Sequence, residues 1–137
     1  MKILISGANG LIGKELVNFF SLNQHQVFKL VRKRTSLQKD EIFWDIKKEV
    51  IDLNQLEGFD AVIHLAGENR PNDVSAFNIV NADLTKLLCD VIHSSGKDIP
   101  LILASSIQAD LDNPYGKSKR AAEMAVEELA RKTDNSV

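Results

Sequence analysis

The stretch SGANGLIG, residues 6–13, decides how the rest of the chain is read. It sets Gly7, Gly10 and Gly13 in a G-x-x-G-x-x-G spacing directly after the apolar run KILIS at residues 2–6. Behind it, Leu11, Ile12, Leu16, Phe19 and Phe20 recur at helical spacing over residues 11–22. A strand, a glycine turn and a helix in that order make a phosphate cradle. Gly7 permits the tight turn, Gly10 lets a diphosphate approach the backbone, and Gly13 lets the helix pack close to the sheet. The helix N-terminus then presents free N–H groups and a partial positive charge. The spacing departs from the G-x-G-x-x-G of the usual dehydrogenase turn, and a purely structural turn is the competing reading.

Working outward, strand-like and helix-like segments alternate. QVFKLV (26–31) reads as a second strand, EIFWD (41–45) as a short third, and residues 53–58 as a brief helix ending at Gly58. DAVIHLAG (60–67) is a nearly continuous apolar run, which suits a parallel strand covered on both faces. Residues 73–95 carry helical periodicity through Ile79, Leu84, Leu87, Leu88, Val91 and Ile92, with Gly96 as the stop. PLILASS (100–106) reads as a fifth strand, and residues 114–132 as the last helix. The alternation predicts an α/β fold: a doubly wound parallel (Rossmann) sheet in the order 3-2-1-4-5. The chain stops at DNSV, where a sixth strand is expected to begin. We therefore expect residues 1–137 to be one dinucleotide-binding domain that is incomplete.

Which nucleotide binds turns on the end of strand two. An acidic residue there holds a ribose 2′-hydroxyl, whereas arginine accommodates a 2′-phosphate. The chain has Arg32, followed by Lys33 and Arg34, with no acid before Asp40. Arg32 is the candidate phosphate ligand, and NADP is favoured over NAD; a solvated basic loop is the bland alternative. Asp45 is placed to meet the adenine edge or is an exposed turn residue.

NPYGKSK (113–119) holds the only tyrosine. Asn113 is a good helix N-cap and Pro114 fits the first helical position. Tyr115 and Lys119 then lie one turn apart on one face. A free phenol is a poor base at neutral pH, and a neighbouring ammonium or helix N-terminus favours its ionised form. Such a pair can pass a proton to or from a carbonyl while hydride moves to or from a nicotinamide ring. Ser105 and Ser106 end strand five, at the sheet rim where ligands sit, and a serine there can orient the reacting oxygen. A Tyr-x-x-x-Lys alone arises by chance in many helices.

The bulk of the sequence narrows the class. It has 137 residues, 44% hydrophobic and 26% charged, with a formal net charge of -2. That balance leaves no basic footprint for nucleic acid or for a membrane surface. No apolar run is long enough to span a bilayer. One cysteine, Cys89, excludes an internal disulfide and fits a reducing cytoplasm. Three scattered histidines form no metal-ligand spacing. His64 reads as a satisfied, half-buried core residue, His25 and His93 as surface residues, and Trp44 and the six phenylalanines as core, with a cofactor stack as the other reading.

GANGLIG, HLAG (64–67), SS (105–106) and YGKSK (115–119) together resemble, in order, the motifs of the extended short-chain dehydrogenase/reductase superfamily. This is the NAD-dependent epimerase/dehydratase family, and specifically its nucleotide-sugar-modifying branch. HLAGENRP and ASSIQADLDNPYGKSK further resemble the capsular-polysaccharide reductase group, whose members often carry a C-terminal cupin. The middle stretch, WDIKKEVIDLNQLEGFDAVIHLAGEN, is similar to sugar-nucleotide epimerases of unsettled substrate. The resemblance implies an NADP-dependent reductase of a keto nucleotide-sugar in capsule or O-antigen synthesis. An epimerase or dehydratase of the same superfamily, or a non-catalytic dinucleotide sensor, are the alternatives. It also implies that Gly7, Asn9, Gly10, Leu11, Ile12 and Gly13 line the diphosphate, and that Leu65, Ala66 and Gly67 pass the riboses. Ser106 would orient substrate, Tyr115 exchange the proton, and Lys119 partner it and the nicotinamide ribose. Asn81 matches a helix asparagine that holds a water or backbone contact, or is a plain polar helix residue. Arg70 is read as a surface-loop residue, with reach toward substrate as the other reading. Helices 73–95 and 114–132 form a dimer seam in such proteins, so a homodimer is expected.

Overall fold

The computed structural model describes residues 1–32, 38–44, 56 and 58–133. Strands β1 (Lys2–Ser6), β2 (Gln26–Val31), β3 (Glu41–Phe43), β4 (Ala61–His64) and β5 (Leu101–Leu103) form one sheet in the order β3-β2-β1-β4-β5. Every neighbouring pair is parallel, as expected. Helix α1 (Leu11–Leu22) follows β1. Between β4 and β5 run α2 (Ser75–Phe77), a π-helical segment (Asn78–Asp83) and α3 (Leu84–Ser94). A 3-10 turn (Ile107–Asp110) leads into α4 (Pro114–Lys132).

Alternation along the strands sends successive side chains to opposite faces. Leu4, Leu30, Ile42, Val62 and Leu101 meet Leu84, Leu88, Ile92, Val126 and Leu129 of α3 and α4 in the larger core. Ile3, Ile5 and Ile63 meet Leu16, Val17 and Phe20 of α1 on the other face. Burial on both faces explains why β1 and β4 read as continuous apolar runs.

Several boundaries differ from the sequence expectation. β3, β4 and β5 are shorter than 41–45, 60–67 and 100–106. The strands stop near a common rim, where the chain leaves the ladder to build loops; Ser106 instead caps the 3-10 turn by accepting a hydrogen bond from the Gln108 amide. The single helix expected over 73–95 is three segments. The wider π turn carries Asn81 into the interior, and the Thr85 hydroxyl donates to the Asn81 carbonyl at 2.6 Å. Gly96, at φ +64°, ends α3 as expected. The helix expected over 53–58, Asp45, Lys33 and Arg34 lie outside the described residues, apart from Leu56 and Gly58.

Candidate active site

The glycine turn is shaped by contacts that tolerate no side chain. Gly7 has φ +71°, and a Cβ on it would lie 2.7 Å from the Ala66 amide nitrogen. A Cβ on Gly13 would lie 2.3 Å from the Gly7 carbonyl oxygen. So β1, the loop after β4 and the start of α1 meet backbone to backbone, which only glycine permits. The turn closes through the Gly10 amide donating to the Gly7 carbonyl at 3.0 Å, and the Lys14 amide donates to Gly10 at 3.0 Å. The amides of Leu11, Ile12 and Gly13 have no acceptor among the described residues. Leu11 and Ile12 leave their apolar side chains at the surface.

Above the rim lies a cleft of about 510 Å³. Asn9, Arg32, Ala66 and Gly67 all line it, so these site residues, far apart in sequence, come together. Ser6, Gln38, Glu41, Trp44 and Glu68 also line it, and the sequence reading had not placed them there. Trp44 belongs to the core as expected, at 2% exposure, and also walls the cleft. Its Nε1 is the buried side-chain polar atom without a hydrogen-bond partner among the described residues. Asp40, the first acid after strand two, is held by Lys29 at 2.7 Å, and that bond pulls its carboxyl below the usual range.

No residue of α4 lines that cleft, and α4 starts as the sequence suggests. The Asn113 side chain accepts from the Gly116 amide at 2.7 Å, and Pro114 occupies the first turn. Gly116 sits so close to the Gln108 and Leu111 carbonyls that α4 is pressed onto the 3-10 turn capped by Ser106. The Tyr115 ring stands edge-on to Phe77, with centroids 5.6 Å apart. Tyr115 lines a polar cavity of about 270 Å³ with Asn69, Arg70 and Gln108. Arg70, the surface-loop residue of the sequence reading, is exposed and lines the same cavity as Tyr115.

Lys119 is buried at 6% exposure, and its Nζ donates to the Ala104 carbonyl at 2.6 Å. Burial lowers its pKa from the ordinary lysine value. A Cβ on Gly67 would come 3.1 Å from Asn81 Oδ1 and 4.0 Å from Lys119 Nζ. The lysine therefore reaches the loop that lines the cleft. Asn81 is fully engaged by protein: Oδ1 accepts from the Glu68 amide at 2.7 Å, and Nδ2 donates to the Glu68 carbonyl at 2.9 Å and to Ser118 Oγ at 3.0 Å. It makes the backbone contact that was one of its two sequence readings. Glu68 in turn accepts from the Asn69 and Arg70 amides and fixes the loop. The Ser105 hydroxyl donates to Glu123.

His64 is fully buried rather than half-buried, and it is satisfied on both ring nitrogens by Ser6 and Thr85. Among the described residues no cluster of three or more His, Cys, Asp or Glu could hold a metal, and no helix is long and apolar enough to cross a membrane.

A cleft over a glycine turn, at the point where a doubly wound parallel sheet reverses direction, defines the dinucleotide-binding class of α/β proteins. Residues 3–137 match the model of the NAD dependent epimerase/dehydratase family, and the chain belongs to that family. It is 38% identical over 124 residues to the UDP-2-acetamido-2,6-beta-L-arabino-hexul-4-ose reductase of Pseudomonas aeruginosa. That match covers 90% of this chain and 30% of the reductase, so the chain spans about a third of that relative's length. The capsular polysaccharide assembling protein CapF of Staphylococcus aureus superposes with a TM-score of 0.71 at 31% identity, over 100% of this chain and 34% of CapF. The UDP-N-acetylglucosamine 4-epimerase of Bacillus cereus superposes with a TM-score of 0.80 at 26% identity, over 98% of this chain and 57% of the epimerase.

Proposed function

We propose that the protein is a nucleotide-sugar oxidoreductase that reduces a keto sugar with NADPH, on a route to a surface polysaccharide in the cytoplasm. The observation that carries this reading is the placement of α4. Tyr115 lines a polar cavity with Asn69, Arg70 and Gln108, and Lys119, one turn on, is buried against Ala104 beside the loop of the cleft. The named relatives support it: one is a UDP-sugar reductase and another a capsular polysaccharide assembling protein. The residues fit a dinucleotide, since the cradle is closed to any Cβ at Gly7 and Gly13 and three amides at the start of α1 have no acceptor among the described residues.

When bound, the cofactor supplies the hydride. Gly7, Asn9, Gly10, Leu11, Ile12 and Gly13 would line the diphosphate. Arg32 would accommodate the 2′-phosphate. Leu65, Ala66 and Gly67 would pass the riboses. Ser106 would orient the sugar carbonyl, and Tyr115 would give its proton to the carbonyl oxygen. The N-terminus of α4 stabilises negative charge developing on the phenol. Lys119, whose Nζ donates to the Ala104 carbonyl, would partner Tyr115 and hydrogen-bond the nicotinamide ribose. Asn81 holds the Glu68 loop. Residues 1–137 would form a cofactor-binding domain. The helical stretch 73–95 and α4 would form the dimer seam; Ala82, Lys86, Ala121 and Met124 line a groove between them.

The test is NADPH oxidation by the full-length gene product with UDP-4-keto-sugars, wild type against Tyr115→Phe. Loss of turnover in the variant is expected; equal turnover removes Tyr115 from the chemistry. An epimerase is the second reading, favoured by the likeness to the Bacillus cereus enzyme. It returns the hydride to the sugar, so net NADPH consumption separates the two.

A further inference from the structure

Ser6 and His64 are register partners on β1 and β4, immediately below the cleft. Both are buried, and Ser6 Oγ lies 2.5 Å from His64 Nδ1. On the far side of the ring, Nε2 lies 3.0 Å from Thr85 Oγ1. The protons here can be assigned by elimination. The Thr85 hydroxyl hydrogen is committed to the Asn81 carbonyl at 2.6 Å, so Thr85 can only accept from the ring. Nε2 therefore carries the hydrogen and Nδ1 is the bare acceptor. Ser6 must then donate to Nδ1, and its oxygen is left to accept from the Ala66 amide at 3.2 Å.

The run continues beyond Thr85. The Asn81 side chain brackets the Glu68 amide and carbonyl and donates to Ser118 Oγ at 3.0 Å. Ser118 donates to the Tyr115 carbonyl at 2.7 Å. One hydrogen-bonded run therefore leads from the Ala66 amide through Ser6, His64 and Thr85 to the Asn81 main-chain carbonyl, and a second leads from the Asn81 side-chain amide through Ser118 to the first turn of α4; the covalent frame of Asn81 joins the two. Ser6, His64, Asn81, Thr85 and Ser118 are each almost wholly inaccessible. Water cannot replace a lost partner there, so one broken bond must be answered by its neighbours.

We propose that His64 is a positioning residue: as the neutral Nε2–H tautomer it couples the floor of the cofactor cleft, through Ser6, to the helix that carries Tyr115, through Thr85, Asn81 and Ser118. The geometry stands on its own; its consequence for cofactor and chemistry rests on the function proposed above. Thr85 lines neither the cleft nor the Tyr115 cavity. A change there should nevertheless be felt at Ala66, because the ring freed on one side can turn or shift its proton and release Ser6.

The experiment uses the full-length gene product. Nitrogen-15 spectra of its histidine side chains near neutral pH should show His64 with a protonated Nε2 and a bare Nδ1. The signal is assigned by its loss in His64→Gln or, should that variant not fold, by through-bond correlation in the wild type. The opposite tautomer overturns the proposal. Thr85→Val should then weaken NADPH binding about fivefold, while Thr85→Ser, which keeps the hydroxyl, stays within about twofold of wild type. Leu88→Ala, a core truncation on the same helix, should lower the melting temperature without changing the Kd. An unchanged Kd in Thr85→Val, or an equal change in Leu88→Ala, overturns the coupling. Should the wild type bind no dinucleotide, the function proposed above fails, and hydrogen exchange decides the coupling instead. Faster exchange of the Ala66 and Glu68 amides in Thr85→Val than in Thr85→Ser supports it, and equal exchange overturns it.

Discussion

Lys119 donates its buried ammonium to the carbonyl of Ala104, 2.6 Å away, at the end of β5. The bond ties the middle of α4 to the sheet rim and sets the lysine beside the Gly67 loop. Lys119→Met keeps the apolar stem and removes the charge, so it separates packing from electrostatics. The carbonyl loses its partner, and we expect a loss of about 1–3 kcal/mol in urea unfolding. Turnover should fall by more than the stability change explains. Full activity in Lys119→Met would exclude a role for the amine.

Tyr115→Phe leaves the ring against Phe77 and removes the hydroxyl alone. Turnover should fall about 10²- to 10⁴-fold, the usual contribution of a positioned acid or base, with NADPH affinity kept. Stopped-flow turnover and fluorescence titration of the same preparation read both quantities.

Gly13→Ala forces a methyl to within 2.3 Å of the Gly7 carbonyl. Backbone must move on both sides of the turn. We expect a destabilisation of about 1–3 kcal/mol together with a weakened cofactor complex. Calorimetry with and without NADPH measures both; a variant with wild-type melting and binding would contradict the close approach.

Burial first, and then the charge of Lys119, push His64 down to about 4 from an ordinary value of 6.5. Its folded value lies below its unfolded one, so the unfolded chain binds the proton first as pH falls. Stability is therefore full above pH 6.5 and declines between 6.5 and about 4. The contribution of this one ring is about 3 kcal/mol over that window. Urea midpoints across the range test it in wild type against His64→Gln, which should lose much of the slope.

Burial pushes the Cys89 thiol up to about 12. The native protein should react negligibly with a thiol-specific disulfide reagent near neutral pH, and the same thiol should react readily once unfolded. Rapid labelling of the folded protein would contradict the packing of α3.

Much of the scaffold was legible in the chain. β1, β2, α1 and α4 begin and end where apolar runs, helical spacing and the Asn113–Pro114 cap place them. These signals are local: a cap, a glycine or a periodic face acts within a few residues of itself. The strand order followed as well, since alternating strands and helices with right-handed crossovers leave few topologies. The glycine turn could be read because its demand on backbone shape excludes every other residue type.

The rest depended on partners far away in sequence. Nothing local marks Asn81 as the bracket of the Glu68 loop, and the π turn that aims it inward breaks the periodicity that predicted one continuous helix. His64 could be read as buried, but its tautomer follows only from Ser6 across the sheet and Thr85 on α3. For Trp44 the sequence offers core or cofactor stack as alternatives, and only the fold shows one side chain both buried and walling the cleft. Local backbone preference and hydrophobic pattern are written residue by residue, and so they dictated the elements and their order. The proton arrangement and the approach of Lys119 to the cleft loop arise where four elements converge, and only the packed fold brings those groups within bonding distance.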